Sequence, residues 1–400
     1  MMNRILCLLL SCTFLSSPLL LAQNQVDLAK YSFEIDDFTD QKFVTLTQKS
    51  LENSQFVFVG EQHGIKEAGT FTKFIYDIAQ PFGYKTLCIE TDALAAEKIT
   101  AIASSKTPID EARNMYKEFP FSIPFYSNQD DYDMFTNTIK KNGEIWGIDQ
   151  TFMVQFGLNF DHMMKTTSNK PFKNKLIELK KKAKEAFTSA ITNKDFNATY
   201  IFSYDENTHK ELLALTTNKK EIEILNQLWK TKEIYAYNTI SKEYYKNNQT
   251  RGQLMKSNFM RYYKEAKKNE NTPKVIFKLG ANHAAKGLTR THIYDIANMG
   301  SELAITNDMH SLHYIIMGIH GKTMTGNPFT PDPIMSFDNT KQFPEEIQNI
   351  IPSITKKYYI LDLVPLRYGL YAKLSKAFRK IIFGYDVIVL VNNAEAVKGL

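Results

Sequence analysis

In the stretch "FVFVGEQHGIKE" a glutamate and a histidine, Glu61 and His63, stand two positions apart directly after an apolar run. Both are expensive to bury without partners. A strand that ends in this pair is therefore delivering a catalytic group, a metal ligand or a polar turn. A carboxylate next to an imidazole fixes its tautomer, the arrangement of a general base. The same two groups also suit zinc or manganese. Three more apolar runs end in polar residues: Glu90 and Asp92 in "CIETD", Asp149 in "EIWGID", and Asn282, His283 and Lys286 in "GANHAAKG". Glu67 falls four residues after His63, on a first helical turn where the helix dipole favours a carboxylate. His162, His209, His292, His310, His313 and His320 show no ligand spacing with a carboxylate partner.

The nucleophile that such a site would use is water. No Gly-x-Ser-x-Gly elbow occurs, which argues against a serine nucleophile. Cys88 sits inside the apolar run "TLCIE", where a thiol is a small core residue.

The elements that would carry these residues follow from the hydrophobic pattern. Continuous apolar runs at residues 55–60, 85–90, 144–149 and 274–280 read as buried strands, with later candidates in "HYIIMGI", "YYILDLV" and "DVIVLV". Helical patterns separate the early runs, at about residues 66–80 and in "ALAAEKITAIA". The expected fold class is α/β, a mainly parallel sheet with helices on both faces. In such sheets ligands bind at the carboxyl ends of the strands, the edge to which Glu61, His63, Glu90, Asp92, Asp149, Asn282 and His283 are assigned. Strand-like runs vanish from 151 to 267, where Lys, Glu, Asn and Leu recur at helical spacing; this reads as a helical insertion, or lid domain, that walls the cleft. The α/β core would comprise residues 24–150 and 268–400. "GNPFTPDPIMSFDNT" reads as a long loop.

Composition is that of an ordinary globular protein, 43% hydrophobic and 23% charged, with a net charge of +6. The excess lysines lie in clusters such as "NKPFKNKLIELKKKAKEAF", interleaved with apolar residues at helical spacing. They read as solvated helix faces and give no nucleic-acid surface. Residues 1–23, with one arginine, an apolar run broken by small residues and then Ala22, have the layout of a secretory signal peptide. The expectation is an exported protein, periplasmic or secreted, with a lipid anchor at Cys12 as the weaker alternative. No span crosses a membrane in the mature chain. With Cys7 and Cys12 in the leader, Cys88 has no partner for a disulfide. The partner expected is a small-molecule substrate. Oligomeric state is not legible.

In this order the motifs resemble the erythromycin esterase-like family. Gly60, Glu61, His63, Gly64 and Glu67 match its first motif, with one residue fewer between the glutamate and the histidine. Ile89-Glu90-Thr91-Asp92 and Gly147-Ile148-Asp149 match its next two strand ends, and Arg251, Met255 and Asn258 match the helix before its last motif. In that last motif His283, Lys286 and Gly287 are kept, but Gly280 stands where the family has a histidine. Related folds include the Tiki/TraB metal-dependent proteases and the ChaN-like haem-binding proteins.

The resemblance implies hydrolysis of an ester or lactone without a cofactor. His63 would be the base, Glu61 or Glu90 would orient it or hold the water, and Arg251 and His283 would stabilise the oxyanion. Glu67, Asp92, Asp149, Asn282 and Lys286 would contact substrate. The alternatives are a divalent metal such as zinc or manganese on Glu61, His63, Glu90 and His283, and haem or small-molecule capture without turnover.

Overall fold

The computed structural model describes residues 26–330 and 332–400; the stretch read as a signal peptide, residues 1–23, lies outside the described residues, as does Cys12. The strands are β1 (Ser32–Ile35), β2 (Ser54–Glu61), β3 (Thr86–Ile89), β4 (Glu144–Gly147), β5 (Val275–Gly280), β6 (His310–Gly318), β7 (His320–Met324), β8 (Ile334–Asp338), β9 (Tyr358–Asp362) and β10 (Val387–Val391). Eight of them form one sheet in the order β1-β9-β10-β6-β2-β5-β3-β4. From β10 to β4 every neighbouring pair is parallel. Only β9 runs against its neighbours. The fold is α/β, as the alternation of apolar runs and helices implies.

The central strands are apolar throughout because both faces of the sheet are covered. Val57, Val59 and Ile276 point into one core, packed under the helices Gln41–Leu51, Lys66–Ala79, Ala93–Ala103 and Gln129–Lys140. Phe56, Phe58, Phe277 and Leu279 point into the other, under Tyr244–Ala266, Ile296–Ile305 and Lys376–Gly384. There Phe58 lies stacked between Phe277 and His313, with ring centroids 4.2 and 4.7 Å away.

Between β4 and β5 run the helices Phe156–Thr166, Lys170–Asn193, Glu206–Ala214, Lys219–Thr239 and Tyr244–Ala266. Phe156, Phe160, Leu176 and Leu225 give this region a core of its own. In Lys170–Asn193 the buried positions Phe172, Leu176, Leu179 and Ala183 form one stripe, and the clustered lysines face outward.

One expectation fails. The stretch read as a long loop contains β8, which pairs antiparallel with β7 in a separate two-stranded ribbon. Pro333 lies immediately before β8, so the strand keeps its own donors, and the Phe337 ring packs against Gly318. After β10 the chain crosses back as a strap. Ala394, Ala396 and Gly399 bridge to Gly321, Ile65 and Asn128, and Val397 N–H donates to Gly64 O (3.1 Å).

Candidate active site

Parallel register sets the strand ends level, Glu61 beside Gly280 and Ile89 beside Lys278. Glu61, His63, Glu90, Asp149, Arg251, Asn282 and His283 all line one cleft of about 550 Å³ at that edge. Phe125, Tyr235 and Arg290 complete its walls.

His63 Nδ1 lies 2.9 Å from Glu61 Oε1. An ionised carboxylate only accepts, so Nδ1 donates to it and Nε2 is left facing Glu90. Burial alone would raise the Glu61 pKa, but Lys278 and His63 outweigh it and hold the carboxyl below its usual range. Lys278 interrupts the apolar pattern of β5. It is 2% exposed, and its ammonium lies 2.7 Å from Glu61 Oε2 and 3.1 Å from Asp131 Oδ1. It also sits 5.0 Å from the centroid of the Tyr126 ring. Burial opposes the charge on Lys278, yet the two carboxylates raise its pKa.

The His63 ring is fixed from the side by Phe125, stacked at 3.7 Å with an interplanar angle of 9°. Phe125 holds φ 67°, a left-handed conformation that is a genuine outlier for a bulky residue. Strain of this kind gathers where side chains must be placed for function. After His63 the chain turns at Gly64, φ 82°, where a Cβ would meet Met324 O at 2.2 Å.

Glu90 is the hub. Its Oε1 accepts from Arg251 Nη2 (2.8 Å) and lies 3.5 Å from His283 Nε2. Its Oε2 accepts from Gly280 N–H (2.5 Å) and lies 4.0 Å from His63 Nε2. Burial works against ionisation of Glu90, but His283, Arg251 and His63 pull its pKa down to about 2. Arg251 also binds Asp149 through Nε (2.9 Å) and Nη2 (2.5 Å), while Nη1 makes no hydrogen bond among the described residues. His283 Nδ1 lies 2.7 Å from Asp295 Oδ2. Burial disfavours its charge, but Glu90 and Asp295 raise the His283 pKa above the ordinary imidazole value. The two histidines differ in setting: His63 pairs through Nδ1 with Glu61, and His283 is held toward the imidazolium between Glu90 and Asp295.

Three expected residues lie outside the cleft. Glu67 accepts from Glu395 N–H (3.1 Å) and pairs with Lys357 (2.7 Å), fastening the strap. Asp92 caps the helix Ala93–Ala103 through the N–H groups of Leu94 and Ala95, and burial pushes its pKa up to about 6. Lys286 pairs with Asp386 (2.7 Å), on the far side of the short helix Ala281–Ala284. The pattern also passes over residues that matter. Lys278 was legible as a charge inside a fully apolar run. Asp131, Phe125 and Asp295 come from loops and helix starts that carry no signal of their own.

Among the described residues no group of three or more His, Cys, Asp or Glu side chains is disposed to hold a metal ion. The carboxylates that would serve as ligands already accept from Lys278, His63, Arg251 and Gly280.

No family model and no curated protein matches the sequence. Solved structures do match the fold. A mutant of erythromycin esterase EreC in its open conformation aligns with TM-score 0.58 and 13% identity, over 91% of this chain and 96% of the esterase. A succinoglycan biosynthesis protein aligns with TM-score 0.57 and 12% identity, over 93% and 96%. A Bacillus cereus protein aligns with TM-score 0.55 and 13% identity, over 93% and 97%. At these identities the likeness establishes the fold.

Proposed function

On a fold shared with erythromycin esterase, we propose that the chain hydrolyses an ester or lactone in a small molecule, using water activated by His63. The observation that carries this reading is the Glu61–His63 pair, 2.9 Å apart through Nδ1, with Glu90 Oε2 4.0 Å from the other ring nitrogen, Nε2. A water donating to Nε2 has a second acceptor in Glu90. As its oxygen attacks the carbonyl carbon, His63 takes a proton and Glu61 balances the imidazolium. The carbonyl oxygen becomes an oxyanion, for which His283 and Arg251 Nη1 are the donors. When the intermediate collapses, the C–O bond to the leaving group breaks and His63 returns its proton to the alkoxide. Gln62 and Asn282, Tyr235 and Phe125 on the cleft wall would position the substrate.

The donor set fits zinc or manganese poorly, because a metal would have to displace Lys278 and Arg251 from Glu61 and Glu90. The reading is accordingly metal-free. Its test is to incubate the protein with macrolide lactones and simple esters and follow water addition by mass spectrometry. Phenanthroline, which strips zinc and manganese, should leave turnover intact, and His63→Ala should abolish it. Loss with phenanthroline, restored by zinc or manganese, would move the protein to the metallohydrolases. Unchanged turnover in His63→Ala would remove the proposed base.

A further inference from the structure

Behind His63 three buried charges stand in a row. Glu61 meets His63 Nδ1 through Oε1 (2.9 Å) and Lys278 Nζ through Oε2 (2.7 Å), and on its other side Lys278 Nζ lies 3.1 Å from Asp131 Oδ1. Glu61, Lys278 and Asp131 are 4%, 2% and 3% exposed. They come from β2, from β5 and from the first turn of the helix Gln129–Lys140. The approach of that helix is close: a Cβ on Gly69 would stand 3.3 Å from Asp131 Oδ1. Both oxygens of Asp131 face donors, Oδ1 the ammonium and Oδ2 the Asn128 amide (2.7 Å). Its own N–H donates to Asn128 Oδ1 (2.8 Å). A carboxyl group that meets only donors is held ionised, and a first helical turn favours that form.

Charge counting gives the row a use. If Lys278 faced Glu61 alone, the two would cancel and little would remain to balance an imidazolium on His63. Asp131 supplies a second negative charge, so the row carries one excess negative charge while His63 is neutral and none once it is protonated. In a buried site such charges act more strongly on one another than in water. The other side of the ring has a balance of its own. Glu90, 4.0 Å from Nε2, is matched by Arg251 and His283, which Asp149 and Asp295 hold in turn. Phe125, stacked on the ring, brings no charge, and Arg290 on the cleft wall completes the charged groups.

We propose that Asp131 is a positioning residue of the hydrolytic site: it engages Lys278 from behind and so leaves the charge of Glu61 to the imidazolium that forms when His63 takes a proton from water. This role rests on the reading of His63 as the base. Asp131 lies outside the cleft lining and acts only through Lys278 and Glu61. Burial raises its pKa, Lys278 opposes the rise and Glu61 adds to it, whereas the Glu61 pKa is lowered, so Asp131 is the first of the two carboxylates to be neutralised as pH falls.

The test changes the charge count in three variants of the full chain. Asp131→Asn removes one negative charge, Lys278→Met removes the positive one, and the double variant removes both and restores the wild-type excess. The first readout needs no substrate: NMR of protein labelled in its histidine rings, with His63→Gln to assign the signal, follows the titration of His63. Its midpoint should move to lower pH in Asp131→Asn, to higher pH in Lys278→Met, and back toward wild type in the double variant. Either single variant fixes the sign, so misfolding of one leaves the other to decide. The second readout is ester hydrolysis. Asp131→Asn should lower kcat about tenfold with KM unchanged, because the imidazolium forms only after the ester is bound, and the double variant should recover most of that loss. A purely structural Asp131 would leave the midpoint in place and make the double variant at least as impaired as either single change. A midpoint unmoved in the single variants, or a double variant no better than Asp131→Asn, would overturn the proposal. Turnover unchanged in His63→Ala would instead remove the base, with the NMR titration still deciding whether Asp131 acts on His63.

Discussion

Gly280 and His63 compete for one space. A Cβ built on Gly280 would stand 2.9 Å from His63 Nε2 and 3.2 Å from Glu90 Oε2. The absence of a side chain at Gly280 is therefore what lets the β2 histidine reach the β5 strand end. Gly280→Ala should leave the fold intact and push the imidazole off Glu90. A displacement of this order at a reacting group lowers rate by about 100-fold, to be read as kcat/KM on whichever ester the wild type turns over, with circular dichroism as the folding control.

Because both Asp295 and Glu90 raise its pKa against the pull of burial, His283 stays charged above the ordinary imidazole value. The oxyanion stabilisation proposed for His283 would be present below that raised pKa and lost as pH rises through it. The rate profile should accordingly carry an alkaline limb above pH 6.5. Asp295→Asn should move this limb to lower pH, and His283→Asn should remove it. A limb unmoved by either change would assign the titration elsewhere. Glu90, at about 2, stays ionised across the working range and contributes no acid limb there.

Arg251 neutralises two buried carboxylates at once, Glu90 and Asp149. Removing one partner of a buried ion pair leaves uncompensated charge and costs about 3–5 kcal/mol. Arg251→Ala should show a loss toward the lower end of that range in urea unfolding, since the guanidinium is 24% exposed. Arg251→Lys should recover only part of it, because an ammonium lacks the planar fork that grips Asp149 at two points.

Lys278→Met tests the charge beneath the base. Glu61 has its pKa lowered, so its contribution to stability is present above the ordinary carboxylate value and lost as pH falls through the lowered one. Lys278, with its pKa raised, contributes below the ordinary lysine value and loses that contribution as pH rises through the raised one. Near neutrality both terms are present, and the variant should lose about 3 kcal/mol or more. The gap from wild type should narrow in acid, where Glu61 and Asp131 take protons. Denaturant unfolding at pH 7 and pH 4 measures both; a gap that widens in acid would contradict the pairing.

What could be read in advance has a physical pattern. Continuous apolar runs marked β2, β3, β4, β5, β6, β9 and β10, because strands covered on both faces have no polar side to confuse the signal. The residues just beyond four of those runs were legible as a site for the same reason: polarity after an apolar run has few structural excuses. β1, β7 and β8 escaped notice because their side chains are mostly half-exposed or exposed. Glu67, Asp92 and Lys286 were placed in the cleft by their nearness in sequence to true lining residues, but a helix start or a returning loop turns side chains elsewhere. Asp131 and Asp295 were invisible because each meets its partner, Lys278 or His283, only through tertiary packing.

The strap formed by Ala394–Leu400 has a bearing on when the cleft is complete. It fastens Gly64, just past His63, and Asn128 and Gln129, just before Asp131. The two loops it fastens, one after β2 and one at the start of the helix Gln129–Lys140, lie far from it in sequence and are joined through it only in the folded chain. A single cut within the strap would therefore loosen both at once, and with them the placement of His63 and Asp131.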